Sequence, residues 1–487
     1  MILIWLPLGL ALPALAGWLA VRLLEWRTPV LGVSERWFYG ALLGITLAMF
    51  AAFLANILFG APFTSIGFAA IEGALVLALG IPYWFFIHGS SGPARDASWR
   101  ADWRSLSQPR RWLLIILGCW ILLRIALATT VLLTTPPYFD DTLNNWNVRG
   151  KVFYVTETLT LQLPSQRPTD PPAGTSSYPP TVSLTKASLA AFAGEWNEGL
   201  VNGIHIVWFL LALGILFFTL RRMAGLFWAG IGAYMLAVLP LYLIHGTNAY
   251  GDVFLSAHLL GAAALILHAL CENDRRRAAV FLRLGAFATA MLVFTKNEAL
   301  VMYLPVLLLI TVMGLLLLRL KSTLTTHDAM MAVGWFAVLL LAVAIPWIGF
   351  KWMHGLTFGN AKGIAGIEIA WQPMVLTAVF VNTFFEGNWL LLYPLLIILL
   401  VLRWRQAFLS PLLAFTALFC IVYAGQLLIF LFTPLSTEAL MQTGYARGLI
   451  QLAPVAVVIA TTLLSTVLEP EKGKGIDRSD GDKLTAA

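Results

Sequence analysis

The polar side chains that could do chemistry gather in short segments between long apolar runs. The densest segment is Tyr138–Tyr154, with the sequence YFDDTLNNWNVRGKVFY. Two adjacent acids, Asp140 and Asp141, precede a stretch of helical spacing whose apolar residues fall near one face, with Arg149 on the other. Such a helix would lie along a membrane surface and present carboxylates to a ligand. A carboxylate can take a proton from a hydroxyl group, so this segment is a candidate for general-base catalysis.

Further polar segments lie at the same predicted ends of other apolar runs. They are HGTNAYGD from His245, TKNE from Thr295, the loop residues Lys351 and Glu386, and the pair Tyr445 and Arg447. Acids beside cations in apolar surroundings suit a lipid-anchored phosphate donor, whose tail lies among helices and whose phosphate needs Lys or Arg. Glycosyl transfer fits best, because cations neutralise the charge that grows on the phosphate leaving group.

Composition shows that a membrane protein must position these segments. The chain has 487 residues, of which 60% are hydrophobic and 11% charged, and its mean hydropathy is +0.83. That is too apolar for a soluble multidomain protein. The net charge of +7 reflects Lys and Arg between the apolar runs, so we expect no nucleic-acid partner. Cys119, Cys271 and Cys420 lie singly, which leaves no disulfide framework or CxxC metal site.

Thirteen apolar runs are candidates to cross about 30 Å of hydrocarbon, which needs about 20 helical residues each. The predicted spans are residues 3–23, 37–58, 65–87, 112–134, 201–220, 224–244, 253–271, 279–294, 300–320, 330–350, 389–402, 408–432 and 449–468. Arginines and lysines crowd five loops that fall on one side, around residues 95–111, 221–222, 275–277, 319–321 and 403–405. The positive-inside rule places those loops in the cytoplasm, and the loop 135–200 on the outer side.

The outer loop 135–200 is expected to hold two interfacial helices. Its middle, Pro164–Pro180, contains six prolines and cannot be a regular helix. Beyond it, Thr181–Phe192 returns to helical spacing, with four residues predicted to face the membrane: Val182, Leu184, Leu189 and Phe192. The polar residues lie at one rim and not at the midplane, which disfavours a secondary transporter.

The order of six motifs resembles that of the GT-C glycosyltransferases, closest to the bacterial branch related to protein O-mannosyltransferases and aminoarabinose transferases. The motifs are DDTLNNWNVRGKVFY from Asp140, SSYPPTVSL from Ser176, AYGDVFLSAHLL from Ala249, FTKNEAL from Phe294, EGNWLLLYPLL from Glu386 and YARGLIQLAPV from Tyr445. The resemblance covers residues 112–468. It implies an all-α polytopic fold that transfers a sugar, with inversion, from a polyprenyl phosphate to a hydroxyl group at the outer face of the cytoplasmic membrane.

Around this GT-C-like core, the sequence predicts three further parts. Residues 1–90 would be three added transmembrane helices, 91–111 a basic cytoplasmic loop and 469–487 a polar cytoplasmic tail. Arg124 and Glu72 lie at comparable depth within spans, and an ion in hydrocarbon needs a partner. We therefore expect them to pair and to dock the added helices onto the core.

The resemblance implies three sets of site residues. They are the catalytic Asp141, Asp140 and Asp252; the donor-phosphate ligands Lys296, Arg447 and Arg149; and the substrate-binding residues Glu298, Tyr445, Glu386 and Tyr178. Asp141 would be the general base, with Asp140 as the alternative. No cofactor is required, although a divalent cation, Mg²⁺ or Mn²⁺, would bind the three aspartates if the reaction used one.

Each of these residues also has a purely structural interpretation. The aspartates are favoured helix N-caps, Lys296 could extend to the membrane edge or pair with Glu298, and Arg447 could anchor its helix. For the whole chain, the alternatives are a transporter or flippase of polyisoprenoid-linked substrates and a noncatalytic assembly subunit. The expected partners are the polyprenyl-phosphate sugar, membrane lipids and a glycan, lipid or protein acceptor of the cell envelope.

Overall fold

The computed structural model describes residues 2–89, 99–137, 141–162, 177–358, 369–441 and 443–469, which form helices and loops without a strand. In chain order the helices are α1 (Ile2–Glu25), α2 (Val33–Phe59), α3 (Ser65–Phe86), α4 (Trp99–Ser105), α5 (Gln108–Thr134), α6 (Val148–Thr156), α7 (Thr181–Ala193), α8 (Glu198–Ala224), α9 (Leu226–Val238), α10 (Pro240–Thr247), α11 (Asp252–Cys271), α12 (Arg275–Val293), α13 (Leu304–Leu320), α14 (Thr326–Met353), α15 (Val375–Phe384), α16 (Leu392–Leu402), α17 (Trp404–Leu409), α18 (Leu413–Phe432), α19 (Ser436–Leu440) and α20 (Gly444–Leu468). Two π-helical segments, Thr142–Asn147 and Ala299–Tyr303, lead into α6 and α13.

Within the described residues, ten helical stretches are long and apolar enough to cross a membrane. A helix lies at each predicted span, but three of them depart from a simple crossing. The run 224–244 is the pair α9 and α10, bent by 73° where Pro240 can donate no hydrogen bond. Helix α12 carries four arginines, and α16 has only 11 residues. The all-α, polytopic membrane fold is confirmed, and the number of crossings stays a prediction.

Helix α11 is the central element of the bundle. Its residues from Asp252 to Ala269 are buried, which agrees with its lack of a polar face over most of its length. It packs against α8, α12 and α20, three of the other helices with mostly buried residues. An element enclosed in this way is held rigidly, so the residue at its start has a fixed position.

Helices α1 to α3 pack on one another and on the rest of the bundle. Gly17 on α1 meets Gly40 and Gly44 on α2 so closely that a Cβ atom there would lie 1.9 Å from a backbone oxygen. Small residues at this spacing allow membrane helices to approach closely. On α2, Thr46 Oγ1 lies 2.8 Å from Nε2 of His258 on α11. The division of the chain into an added part and a core stays a prediction.

The predicted ion pair between Arg124 and Glu72 is wrong. Glu72 is buried and accepts a hydrogen bond of 3.4 Å from Ser188 on α7, and no ion pair joins it to Arg124 in the described part of the chain. The reason is topological. Helix α3 packs mainly on α1 and α2, whereas α5 packs mainly on α8 and α9.

The predicted exposure of the outer-loop residues to the membrane is also wrong. Val182, Leu184 and Leu189 on α7 are at most 1% exposed, and α7 packs between α6, α8 and the first three helices. Trp146 is fully buried as well. Contact with protein and contact with lipid both favour apolar residues, so the sequence pattern does not separate the two. In the structure, neighbouring helices cover these side chains. For Phe192, which is partly exposed, contact with the membrane stays a prediction.

Candidate active site

Asp252, the first residue of α11, is fully buried and is surrounded by four side chains. Lys296 Nζ and Gln451 Nε2 each lie 2.8 Å from its Oδ1 atom, and Arg447 Nε lies 3.0 Å from Oδ2. His245 Nδ1 is 3.3 Å from Oδ2. A buried carboxylate requires such partners because water no longer solvates it, and the start of a helix adds a favourable dipole.

Three breaks in the helical bundle bring these groups together. The turn before α11 leads directly into Asp252. Its Asn248 carbonyl accepts a hydrogen bond of 2.7 Å from Thr142 Oγ1. In that turn, a Cβ atom on Gly251 would lie 2.9 Å from the Trp146 ring, so the close approach of the two segments needs glycine. Lys296 follows the end of α12, and Arg447 lies in the first turn of α20.

Asp141 joins this group through Arg447. Arg447 Nη2 lies 2.7 Å from Asp141 Oδ2, so one guanidinium bridges Asp141 and Asp252. Asp141 precedes a π-helical segment but makes no side-chain capping hydrogen bond there, and Gly251, not Asp252, is the N-cap of α11. The N-cap interpretation is therefore wrong for Asp252, and Asp141, although it is the N-cap residue of its segment, does not cap it with its side chain. Asp140 lies outside the described residues.

Glu298 and Tyr178 complete the surroundings of Lys296. The ammonium lies 3.1 Å from Glu298 Oε1 and 5.6 Å from the centre of the Tyr178 ring. Burial alone would lower the pKa of Lys296, but Asp252 and Glu298 outweigh it and raise that pKa above its ordinary value. The amine therefore stays protonated. The Glu298 carboxylate, followed by burial, raises the pKa of Tyr178.

We call Asp141, Asp252, Lys296, Glu298 and Arg447 the acid–cation cluster. Two cations face three carboxylates in it, which leaves one formal negative charge. Asp252 is 0% exposed and already engaged, whereas the side chains of Asp141 and Glu298 are 28% and 30% exposed. These two are thus the carboxylates of the cluster that a substrate can reach.

The other predicted site residues make different contacts. Arg149 is buried and its Nη2 donates to the Tyr178 carbonyl at 3.2 Å. The Tyr445 hydroxyl lies 2.7 Å from Thr383 Oγ1 and 3.0 Å from the Tyr423 hydroxyl.

Glu386 lies in the loop between α15 and α16, where it accepts a hydrogen bond of 3.2 Å from Asn388. Roles in substrate binding for Tyr445 and Glu386 stay predictions.

Sequence reasoning missed two neighbours of Asp252. Gln451 stands four residues after Arg447, so both face the same side of α20, and that spacing was the available signal. His245 begins the polar segment HGTNAYGD, which the sequence did indicate, but a histidine by itself predicts no particular role there. It stacks on Tyr250 with ring centres 4.2 Å apart.

The described carboxylates do not fit a divalent metal. No group of three or more His, Cys, Asp or Glu side chains is placed to hold an ion in the part of the chain that the structure describes. Asp141 and Asp252 already share the Arg447 guanidinium, which stands where a shared cation would bind. We derive no step from a metal.

No protein-family model matches the sequence, and no curated protein matches it significantly. Its fold is similar to that of ArnT from Cupriavidus metallidurans. The crystal structure of ArnT bound to undecaprenyl phosphate matches with a TM-score of 0.50 and 14% identity, over 70% of this chain and 60% of ArnT. The apo structure gives a TM-score of 0.49, again at 14% identity, over 71% and 60%. This chain thus spans about three-fifths of ArnT.

A likeness at this identity concerns the fold alone. It agrees with the all-α, polytopic membrane fold that the sequence predicts. The comparison does not cover the remaining part of ArnT.

Proposed function

We propose that this chain is a membrane glycosyltransferase of the GT-C type that moves a sugar from a polyprenyl phosphate to a hydroxyl group. The observation that carries the proposal is the acid–cation cluster, in which Asp141 and Asp252 share Arg447 although the chain separates Asp252 from Arg447 by 195 residues. The fold likeness to ArnT, one structure of which holds undecaprenyl phosphate, supports the choice of donor.

In the proposed reaction, Asp141 takes the proton of the acceptor hydroxyl. The acceptor oxygen forms a bond to the anomeric carbon while the bond from that carbon to the phosphate oxygen breaks, so the configuration inverts. The polyprenyl phosphate leaves with the electron pair. Arg447 fixes the direction of the Asp141 carboxylate through the 2.7 Å contact, and positioning of this kind accounts for much of an enzyme's rate.

Asp252 serves as a positioning residue in this scheme. It is fully buried between Lys296 and Arg447, so it is out of reach of an acceptor. Its charge instead keeps two cations next to the reacting groups, where they act on the growing phosphate charge. Glu298 and Tyr178, which flank Lys296, would contact the sugar.

The leaving phosphate also needs a cation that is not already compensated. Lys296 contacts two carboxylates, and Arg447 contacts two. Arg149 differs, because its Nε and Nη1 atoms are buried and have no hydrogen-bond partner among the described residues. Arg149 is therefore the best-supported ligand for the donor phosphate.

We place this chemistry at the outer face of the cytoplasmic membrane. Arg222 at the end of α8 and Arg275 at the start of α12 lie at the opposite end of these helices from Asp252. The positive-inside rule puts that basic end in the cytoplasm. A polyprenyl donor and an outer acceptor would make the reaction a modification of a cell-envelope glycan or glycolipid.

Purified full-length chain in lipid nanodiscs tests the proposal. A panel of labelled polyprenyl-phosphate sugars is incubated with membrane extract, and chromatography measures the release of bare polyprenyl phosphate. Wild type should release it, whereas Asp141→Asn should bind the donor and release at least a hundredfold less. Turnover near the wild-type rate would remove Asp141 from its role. Movement of intact donor across the bilayer without cleavage would instead indicate a transporter.

A further inference from the structure

Arg149 is a buried cation without an acidic partner in the described residues. Its side chain is 2% exposed and its Nη2 atom donates to the Tyr178 carbonyl, whereas its Nε and Nη1 atoms have no hydrogen-bond partner among the described residues. Burial alone lowers the pKa of Arg149 to about 10, and no carboxylate of the described residues offsets it. An arginine keeps its proton at neutral pH, so a full positive charge stays inside the protein.

Lys351, at the end of α14, is a second buried cation in the same surroundings. It is 1% exposed, and its Nζ donates to the carbonyls of Ser177 at 2.5 Å and Thr357 at 2.7 Å. Asn297 Oδ1 accepts a further bond of 3.2 Å. These acceptors are neutral, and the charge that acts on Lys351 is that of Arg149. We call Arg149 and Lys351 the cation pair.

One short piece of backbone joins the cation pair. Lys351 is bonded to the carbonyl of Ser177 and Arg149 to the carbonyl of the next residue, Tyr178. Consecutive Cα atoms are about 3.8 Å apart, so the two head groups are bonded to neighbouring peptide units. The Tyr178 ring lies 5.6 Å from Lys296 Nζ, and Asn297, which bonds to Lys351, is the residue after Lys296. The cation pair thus lies beside the acid–cation cluster.

The two groups of charges differ in their balance. The acid–cation cluster has more carboxylates than cations, whereas no ion pair with a described carboxylate compensates the cation pair. Two like charges removed from water are unfavourable unless an anion joins them. A group with several acceptor oxygens, such as a phosphate, would bond to the free nitrogen atoms of Arg149 and take the place of Asn297, the most distant of the three acceptors around the Lys351 ammonium.

We infer that Arg149 and Lys351 form a binding site for a phosphate group next to the acid–cation cluster. The assignment of this phosphate to the donor lipid rests on the proposed function, since a phosphate on the acceptor would have the same chemistry. Lys351 is then a ligand that fixes the donor, and it reaches the site from a helix remote in sequence from α6.

Binding measurements on the full-length chain in phosphatidylcholine nanodiscs test the inference. The probes are undecaprenyl phosphate, undecaprenol and inorganic phosphate. Lys351→Met should weaken binding of undecaprenyl phosphate at least tenfold, because it removes a charge-assisted hydrogen bond. Lys351→Arg should restore most of it, and binding of undecaprenol should be the same in all forms. Lys151→Met is the matched control, because Lys151 is an exposed cation on α6.

The outcomes separate the two sources and the two proposals. If undecaprenyl phosphate displaces inorganic phosphate from wild type, the site belongs to the donor. If inorganic phosphate binds through Lys351 and undecaprenyl phosphate does not displace it, the site belongs to the acceptor. Undecaprenyl phosphate that binds Lys351→Met as tightly as wild type overturns the inference and leaves sugar transfer intact. If wild type binds neither undecaprenyl phosphate nor inorganic phosphate, the inference fails. Sugar transfer is then tested separately by the Asp141→Asn assay. Arg149→Met, expected to weaken binding similarly, decides the matter if Lys351→Met fails to fold.

Discussion

Replacing Asp252 with asparagine should destabilise the protein strongly. Asparagine keeps the size of the side chain but removes the charge that faces Lys296 and Arg447 in a fully buried position. Removal of one partner from a buried ion pair costs about 3–5 kcal/mol. Glu298 and Asp141 remain as partners for the two cations, so we expect the lower end, about 3 kcal/mol.

Denaturant titration of the purified chain in detergent, followed by tryptophan fluorescence, measures this loss as a change in the free energy of unfolding. Glu272→Gln is the matched control, since it breaks the ion pair with Arg277, which is 2.9 Å long and partly exposed. Exposed pairs contribute about 0–1 kcal/mol. If Asp252→Asn costs no more than Glu272→Gln, the buried carboxylate does not hold the cluster together.

A double variant sharpens the same test. Lys296→Met alone should also be costly, because it leaves Asp252 with one cation fewer in a buried site. Combined with Asp252→Asn, it should cost clearly less than the sum of the two single changes, since no unpaired charge then remains from this pair. Simple additivity would show that the two residues do not interact.

Two further predictions concern the turn before α11 and the pH dependence of stability. Gly251→Ala should lower the free energy of unfolding by about 1–3 kcal/mol and should also slow donor turnover, because its Cβ atom would meet the Trp146 ring at 2.9 Å. Gly334→Ala, with open space around its Cβ position, should change neither. Burial lowers the pKa of Lys186 on α7 to about 7, from 10.5. Between these two pKa values, Lys186 carries a proton in the unfolded chain that it lacks in the folded chain. The free energy of unfolding should therefore rise with pH from about 7 to about 10. Lys186→Met should flatten that rise in denaturant titrations; an unchanged slope would contradict a role of Lys186.

The sequence predicted the architecture well because long apolar runs have few alternatives to helices in a membrane. It failed where hydropathy carries no geometric information. The run 224–244 is apolar throughout, yet Pro240 divides it into two helices bent by 73°. Helix α7 shows a second kind of failure. Its apolar residues suit contact with protein as well as contact with lipid, and most of them are buried against protein.

Part of the candidate site was also accessible from the sequence. Asp141, Asp252, Lys296 and Arg447 were expected to share one end of the bundle, and the structure brings their side chains into direct contact. Their relative charge balance could not be predicted, because it depends on which carboxylates and cations pair in space. Lys351 was recognised as a polar loop residue without a role for the same reason.

The central claim is that a polyprenyl-phosphate sugar reacts at the acid–cation cluster, and a structure of the full-length chain with such a donor bound tests it most directly. We expect the phosphate within hydrogen-bond distance of Arg149 and the sugar between Asp141 and Tyr178. A donor whose phosphate binds instead at the basic end of the bundle, near Arg222 and Arg275, would contradict it.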